Sequence, residues 1–376
     1  MNYRYYRAFY ILTKINMNLP KPKKINTQKY EAGLSSFRKR IAKIKLSANE
    51  SALGPSPKAI REYIRTSKNI KRYPENQSFF LQKILAKKFK LDFKRIIIGS
   101  GSDQIFELIC RAFLKKKDEV IVPQYSFIIY RIYSKICGAK VIYAKEKNFR
   151  ISVDSILSKV SKRTKIVFLA NPNNPTGTII FKNELLKLRK KLRRNILLVV
   201  DDAYYEYVRN KNFSSGLDLF SKSKNVIITR TFSKIFGLAG LRIGWGYGPK
   251  VLIEALNNIK PPFNVNKAAI SAASVAIKDK KWLSKEIQHV SKWSNTFLKI
   301  FKNLKIETNK SYANFLLISF NKIKRNSKKI FLNLASSGII VREMSVYNIK
   351  NCLRVSIGSS IENKKFIYKL KKIINV

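Results

Sequence analysis

The stretch NILLVVD at residues 195–201 indicates the fold class of this chain. Every residue between its first asparagine and Asp201 is apolar. A strand that is apolar on both faces is buried on both faces, as in a parallel sheet that lies between two layers of helices. The stretches KIVFLA (165–170) and NVIITR (225–230) repeat this pattern before and after it.

Three more β-branched stretches precede these, namely RIIIGS (95–100), EVIVP (119–123) and KVIYA (140–144). Helix-length amphipathic stretches separate the strands, namely Phe79–Phe89, Gln104–Leu114, Phe127–Cys137 and Asn183–Leu192. Alternating strands and helices favour an α/β fold. We therefore predict a mostly parallel central sheet that is covered by helices on both faces.

The pattern changes in the last third of the chain. A long helical stretch from Lys267 to Leu304 precedes the apolar stretches NFLLISF (314–320), IIVREM (339–344) and CLRVSIG (352–358). This order predicts a smaller α+β domain. We expect three parts: an N-terminal arm at residues 1–50 that packs on the small domain or on a partner subunit, a large α/β domain at 51–262, and a small C-terminal domain at 263–376.

Composition predicts a soluble protein of the cytoplasm. The chain has 376 residues, of which 45% are hydrophobic, and no apolar run approaches the ~20 residues of a membrane-spanning helix. The basic, aromatic start lacks the features of a signal peptide, and either Met1 or Met17 could be the first residue translated. Three cysteines far apart suggest a reducing compartment, with neither a disulfide framework nor a metal site.

His289 is the single histidine of the sequence. This excludes a Ser-His-Asp triad and any site that needs two histidine ligands. Acid–base chemistry in this protein must therefore come from Lys, Tyr, Asp or Glu side chains, or from a cofactor.

The formal net charge of +55 raises the alternative of a nucleic-acid-binding protein. The basic residues are spread along the whole chain, however, and no nucleic-acid-binding motif is present. A solvated basic surface is the favoured interpretation, so we expect no specific nucleic-acid partner.

Two loops that follow predicted strands carry groups suited to ligands. The turn from Gly99 to Asp103 could let a backbone and a helix start approach an anion, although a capped turn would have the same residues. In LANPNNPTGTII (169–180), Asn173 and Asn174 place amide groups at the carboxyl end of a parallel strand, where such sheets bind ligands, although a rigid tight turn would have the same residues.

Two further strands end on charged residues. A carboxylate at the end of a buried strand is costly unless it is paired, so Asp201 and Asp202 predict a cationic partner, or else a helix cap. In TRTFSKIFGLAGLRIGW (229–245), Lys234 lies beside apolar residues. Burial would lower its pKa and allow its neutral amine to form a Schiff base, while Arg242 could bind a phosphate.

The order and spacing of these motifs resemble the fold-type I pyridoxal-phosphate-dependent aminotransferases. Four more stretches extend the resemblance to the histidinol-phosphate aminotransferases: KLSANESALGPSP (45–57), RYPE (72–75), VPQYSFIIY (122–130) and the segment from VREM to CLRVSIG (341–358). The resemblance implies a pyridoxal 5'-phosphate cofactor, a homodimer with shared active sites, and amino-group exchange between L-histidinol phosphate and 2-oxoglutarate in histidine biosynthesis. An aromatic or broad-range aminotransferase and a threonine-phosphate decarboxylase are the alternatives within the fold.

The resemblance also implies roles for individual residues. Lys234 would bind the cofactor covalently and transfer protons, and Asp201 would keep the ring nitrogen protonated. Tyr125 would stack on the ring, while Asn174 and Tyr204 would contact its hydroxyl group.

The remaining implied contacts belong to the cofactor phosphate and the substrate. The phosphate would be held by Ser102, Asp103, Thr231, Ser233, Arg242 and Tyr73 of the partner subunit. The substrate would be bound by Arg354, Arg342, Asn49 and Tyr30.

Overall fold

The computed structural model describes residues 25, 27, 33–37, 40–76 and 78–374. Tyr30, Met1 and Met17 lie outside the described residues. The strands, in chain order, are β1 (Ser36–Phe37), β2 (Arg40–Ile41), β3 (Ile44–Leu46), β4 (Ile96–Gly99), β5 (Glu119–Pro123), β6 (Lys140–Ala144), β7 (Glu146–Lys147), β8 (Arg150–Ile151), β9 (Thr164–Ala170), β10 (Leu197–Asp201), β11 (Val226–Thr231), β12 (Gly244–Tyr247), β13 (Glu307–Thr308), β14 (Phe315–Ser319), β15 (Ile339–Glu343) and β16 (Cys352–Ser356).

The helices connect and cover these strands. They are α1 (Pro57–Ser67), α2 (Phe79–Phe89), α3 (Gly101–Phe113), α4 (Ile128–Ile136), α5 (Val153–Ser158), α6 (Lys182–Lys191), α7 (Gly216–Phe220), α8 (Lys250–Ile259), α9 (Lys267–Ala276), α10 (Lys280–Asn303), α11 (Ser327–Ser336) and α12 (Ser360–Ile374). The start of α1 shows the usual capping chemistry: Ser56 accepts a hydrogen bond from the backbone of Ala59, and Pro57 takes the first position of the helix. Within the described residues, no helix combines the length and apolar character needed to cross a bilayer.

The central sheet has seven strands in the order β4-β12-β11-β10-β9-β5-β6. All neighbouring pairs from β11 to β6 are parallel, whereas β12 runs antiparallel to both β11 and β4. Along β10, Leu198 and Val200 pack into one hydrophobic core and Leu197 and Val199 into another. Both faces of the sheet are therefore covered, and the predicted mostly parallel α/β architecture is confirmed.

A second sheet has five strands in the order β13-β14-β16-β15-β3. Its pairs are antiparallel except for β3, which lies parallel to β15. The strand β3 comes from the segment before residue 50, so this segment contributes directly to the second sheet. The division into residues 1–50, 51–262 and 263–376 stays a prediction.

The helical stretch predicted from Lys267 to Leu304 is not one helix. It is interrupted between α9 and α10, where the Asp279 carboxylate accepts a hydrogen bond from the backbone of Trp282 at 3.3 Å. The expectation of a continuous helix was wrong because this aspartate caps a new helix start instead of continuing the old one.

Candidate active site

The ends of three neighbouring strands form one wall of a cavity of about 480 Å³. Asp201 at the end of β10 is in register with Ala170 on β9 and with Thr229 on β11. The described residues predicted for the site that line this cavity are Asn49, Ser102, Asp103, Asn174, Asp201, Tyr204, Thr231, Ser233, Lys234, Arg242, Arg342 and Arg354.

Lys234 follows β11 and places its amine in this cavity. Its Nζ donates a hydrogen bond to the carbonyl oxygen of Ala48 at 3.1 Å and lies 5.8 Å from the ring centroid of Tyr204. The adjoining Ile235 and Phe236 are buried. Loss of hydration, followed by the positive charge of Arg354, lowers the pKa of the Lys234 amine to about 8. A neutral, nucleophilic amine is therefore accessible near neutral pH.

Asp201 is the last residue of β10, and its side chain is buried where it lines the cavity. Its carboxylate accepts hydrogen bonds from the hydroxyls of Tyr130 at 2.6 Å and Thr229 at 3.3 Å, and from the backbone of Ala203 at 3.2 Å. Burial is the main cause that raises the pKa of Asp201 to about 7. The side chains that donate to it within the described residues are thus neutral hydroxyls, so a cationic group in the cavity would stabilise its charged form.

The cation expected at this strand end pairs with the neighbouring aspartate. Arg230 lies 3.6 Å from Asp202, and both side chains are buried. Asp202 also accepts hydrogen bonds from the backbone of Gly216 and Leu217, at the start of α7. The predicted pairing with a cation therefore applies to Asp202, which binds Arg230 and the start of α7, whereas Asp201 faces the cavity.

Arg242 and the first turn of α3 form a corner of the cavity suited to an anion. The guanidinium donates to the hydroxyl of Ser233 at 3.3 Å and to the carboxylate of Asp103 at 3.2 Å. Gly101 has a φ of +74°, which favours glycine, and its lack of a Cβ leaves room for Arg242 Nη2. The N–H groups at the start of a helix attract an anion, and the adjacent cation adds to that attraction.

Asn174 links the two sheets through Arg354. Its amide oxygen accepts a hydrogen bond from Arg354 Nη1 at 2.5 Å, while Arg354 Nη2 donates to the carbonyl of Ser47 at 2.7 Å. An arginine can only donate, so this contact fixes the amide orientation and leaves the Asn174 nitrogen as a donor for the cavity. Tyr204 is held similarly, because its hydroxyl accepts a hydrogen bond from Asn49 Nδ2 at 3.0 Å.

Arg342 and Arg354 lie directly opposite each other on β15 and β16. Both are buried, and both line the cavity. Like charges at opposite positions of a strand pair repel each other, so this arrangement gains stability from an anion bound between them.

Two predicted tyrosines are not among the described residues that line the cavity. Tyr125 donates from its backbone to Glu146, and its ring lies 5.6 Å from that of Phe149. Phe127 instead lines the cavity, two residues further along the chain. Tyr73 is 81% exposed and its ring stacks on that of Phe263.

Several residues at the site were not predicted from the sequence. Tyr130 and Thr229 bind the Asp201 carboxylate, and Ser356 hydrogen-bonds Asn49. Thr229 could have been recognised, because strand periodicity places residues 229 and 231 on the same face of β11. The sequence contains no comparable signal for Tyr130, since this residue lies on α4, 71 positions before Asp201.

Comparisons with known proteins identify the family of this chain. Residues 41–370 match the family model for aminotransferase class I and II. A histidinol-phosphate aminotransferase of Pelagibacter ubique (strain HTCC1062) is 52% identical over 361 residues, which is 96% of this chain and 100% of the relative. A histidinol-phosphate aminotransferase of Maricaulis maris (strain MCS10) is 40% identical over 86% of this chain and 90% of the relative.

Solved structures share the fold at lower sequence identity. The histidinol-phosphate aminotransferase of Sinorhizobium meliloti in complex with pyridoxal-5'-phosphate has a TM-score of 0.84 and 24% identity, over 89% of this chain and 92% of that one. An aromatic aminotransferase of Pyrococcus horikoshii OT3 has a TM-score of 0.79 and 20% identity, over 88% and 95%. The predicted fold type and family are confirmed, and the chain belongs to the aminotransferase class I and II family, among the histidinol-phosphate aminotransferases.

Proposed function

We propose that this protein is a pyridoxal-phosphate-dependent aminotransferase that exchanges an amino group between L-histidinol phosphate and 2-oxoglutarate, a step of histidine biosynthesis. One observation carries the proposal: an amine of lowered pKa, a buried carboxylate and two opposed arginines line a single cavity. The first two groups suit the cofactor, and the arginines suit an anionic substrate.

The residues of the cavity fit the cofactor. The side chains that donate to Asp201 are neutral hydroxyls, and its pKa is raised. A protonated ring nitrogen would therefore act as the cationic partner of its carboxylate. The corner formed by Arg242, Ser233 and the start of α3 would hold the phosphate group. Ser102 and Thr231 line the same cavity and would add hydroxyl donors.

When bound, pyridoxal phosphate supplies an aldehyde and an electron-withdrawing ring. Lys234 would hold the aldehyde carbon. Once released by the substrate, its Nζ would take the proton from the substrate carbon that bears the amino group and give it to the carbon that had been the aldehyde. Asp201 would keep a proton on the ring nitrogen. Asn174 would donate from its amide nitrogen, because Arg354 occupies its oxygen, and Tyr204 would offer its hydroxyl.

Two different anions must enter the substrate side in turn. Histidinol phosphate carries a phosphate ester, whereas glutamate carries an α-carboxylate at the corresponding end. A guanidinium can bind either group with two parallel hydrogen bonds. We propose that Arg354 binds both anions and that Arg342 adds a second cation, which the more highly charged phosphate uses more fully.

Arg354→Ala is expected to impair the half-reactions with both substrates, and Arg342→Ala is expected to impair histidinol phosphate more than glutamate. The difference between substrates for Arg342→Ala should be roughly 1–2 kcal/mol, as for charged hydrogen bonds in a partly desolvated site. Single-turnover rates over a range of substrate concentrations measure both effects.

Arg354 also donates hydrogen bonds to Asn174 and to the carbonyl of Ser47. Arg354→Lys is therefore the control, because it keeps the positive charge but loses the two parallel N–H donors of the guanidinium. Equal losses for both substrates in Arg342→Ala would show that Arg342 does not select phosphate.

A panel of half-reactions tests the proposed substrate. The pyridoxal-phosphate form of the enzyme is mixed separately with histidinol phosphate, phenylalanine, threonine phosphate and glutamate, and the visible absorbance of the bound cofactor is followed. We expect histidinol phosphate and glutamate to react fastest. A preference for phenylalanine would indicate an aromatic aminotransferase, and decarboxylation of threonine phosphate would indicate the decarboxylase alternative.

We also propose a homodimer in which Tyr73 reaches the cavity of the partner subunit. Tyr73 and Ile70 are 81% and 69% exposed, and Ile60 and Ile64 expose apolar side chains one turn apart on α1. The Tyr73 ring stacks on that of Phe263, at 4.6 Å between centroids, and remains exposed. A second copy of the chain would bury this surface and bring the hydroxyl to a cofactor phosphate.

Mixing Tyr73→Phe with Lys234→Ala is expected to restore activity above the mean of the two parents. Each hybrid dimer contains one site with both residues intact, so random exchange approaches about a quarter of wild-type activity. Steady-state rates before and after subunit exchange measure this. Tyr368→Phe, a change at a 60% exposed tyrosine on α12, is the control partner. No gain on mixing would argue that Tyr73 acts in its own chain or not at all.

We propose that the enzyme works in the cytoplasm. Its cysteines, Cys110, Cys137 and Cys352, are free thiols, as a reducing compartment favours. Cell fractionation with a cytoplasmic marker enzyme tests this, and enrichment in another fraction would contradict it.

A further inference from the structure

A third cationic side chain lies on the same face of the second sheet as the two arginines. Lys45 on β3 is directly opposite Ile340 on β15, and Arg342 lies two residues after Ile340. Residues two apart on a strand share a face, as do residues opposite each other on neighbouring strands. Arg342 is in turn opposite Arg354 on β16. Three consecutive strands therefore present Lys45, Arg342 and Arg354 to one cavity, which all three line.

Lys45 is held by a carboxylate of the same cavity. Its Nζ lies 2.8 Å from Glu50 Oε1, and Glu50 lines the cavity as well. The two side chains are 31% and 42% exposed, so the ion pair is hydrated and contributes little to stability. Such a pair can open at small cost when a stronger anion approaches the lysine.

The remaining carboxylates that line the cavity already have other partners. Asp103 pairs with Arg242 in the anion corner, and Asp201 accepts hydrogen bonds at the ends of the central strands. Glu50 is thus the carboxylate of the substrate side, and it neutralises one of the three cations there.

We infer that Lys45 is a specificity-determining residue that binds the phosphate of the substrate, and that Glu50 holds Lys45 until this phosphate arrives. The inference rests on the proposed function. A phosphate monoester carries nearly two negative charges and three acceptor oxygens, whereas an α-carboxylate carries one charge and two oxygens. Arg354 binds either anion and Arg342 adds a second cation for the phosphate, whose remaining charge draws Lys45 away from Glu50.

Glu50 and Lys45 should have opposite effects on phosphate binding. Without Lys45 the substrate side loses a cation, so affinity for phosphate falls. Without the Glu50 charge, Lys45 is released to the cavity and the local potential becomes more positive, so affinity for phosphate rises. A purely structural ion pair would instead weaken the site in the same way from either side.

The experiment uses the holoenzyme and the variants Lys45→Met and Glu50→Gln. Half-reaction values of kcat/KM are measured with histidinol phosphate, with histidinol, which lacks the phosphate, and with glutamate. Inorganic phosphate is tested as a competitive inhibitor of the glutamate half-reaction. The control is Lys43→Met, which removes the same charge from an exposed lysine that is not among the described residues lining this cavity.

We expect Lys45→Met to reduce kcat/KM for histidinol phosphate roughly tenfold more than for histidinol or glutamate, as for a lost charged hydrogen bond. Its inhibition constant for inorganic phosphate should rise, whereas that of Glu50→Gln should fall. Lys43→Met should leave all of these values near those of the wild type.

Equal losses with all substrates in Lys45→Met, or inhibition constants that move in the same direction in both variants, would overturn the inference. Inhibition by inorganic phosphate tests this inference independently of the proposed function, because it does not require histidinol phosphate to be a substrate. If the wild type rejected histidinol phosphate, the proposed function would fail, while opposite shifts in phosphate inhibition would still support the phosphate subsite.

Discussion

Lys234→Ala is expected to keep measurable affinity for pyridoxal phosphate but to lose at least about a thousandfold in amino-group transfer, because one side chain supplies both the covalent attachment and the proton transfer. The contacts of Arg242, Ser233 and Asp201 do not depend on the lysine amine and should continue to hold the cofactor. Half-reaction rates with glutamate, together with the absorbance of the bound cofactor, measure the two parts separately.

A matched control for this variant lies at the other end of the same strand. Lys224 precedes β11 and is exposed, whereas Lys234 follows β11 and lines the cavity. Lys224→Ala should therefore transfer amino groups at the wild-type rate. Wild-type turnover by Lys234→Ala would end the proposed assignment.

Unfolding does not explain the expected loss. Burial lowers the pKa of Lys234 from 10.5 to about 8, so the folded protein disfavours the charged amine. Below pH 8 this cost is fully present, and it disappears as the pH rises through the unfolded value of 10.5. Without cofactor at pH 7, Lys234→Ala should thus be no less stable than the wild type, which thermal unfolding can measure.

The central sheet could be predicted from sequence because its signal is local. The strand β5 was predicted with its observed bounds, since both ends of a buried apolar run are polar or carry proline. The strand β12 was missed, because the glycines in Gly244–Tyr247 give it little β-propensity. Its antiparallel pairing with β4 and β11 depends on contacts that no local pattern encodes.

The residues of the candidate site also fall into two groups, those that local sequence patterns place and those that only contacts between distant segments place. Lys234, Asp201 and Asn174 lie at or just after the ends of consecutive strands of a parallel sheet, so their proximity follows from the fold class. The contact of Lys45 with the cavity depends on its strand joining the second sheet beside β15, and nothing near Lys45 in the sequence indicates that pairing.

Asp201→Asn is expected to lower amino-group transfer by at least about a hundredfold, on the order of 3 kcal/mol of barrier. The amide has the shape of the carboxylate and can still accept the hydrogen bond of Tyr130, but it carries no charge to hold a proton on the ring nitrogen. Carbon acidity in the substrate depends on that proton, so the rate falls although the cofactor stays bound. Activity within about threefold of wild type would reduce Asp201 to a structural residue.

The next residue provides the control, because Asp202→Asn makes the same chemical change in a different environment. Asp202 faces Arg230 and the start of α7, so its neutralisation leaves a buried guanidinium without its counterion. Burial raises the pKa of Asp202 as well, to about 6, but the buried Arg230 left without its counterion outweighs this relief. Asp202→Asn should therefore destabilise the protein by about 3 kcal/mol or more. Asp201→Asn should not destabilise it, since burial raises the pKa of Asp201 from 3.8 to about 7 and its charge opposes folding at any pH above 3.8.

Chemical denaturation and half-reaction rates on both variants should therefore show opposite patterns. Asp201→Asn should lose activity and keep its stability. Asp202→Asn should lose stability, with a smaller loss of activity in the folded fraction. If the two variants behaved alike, the distinction between a catalytic and a structural carboxylate at this strand end would be wrong.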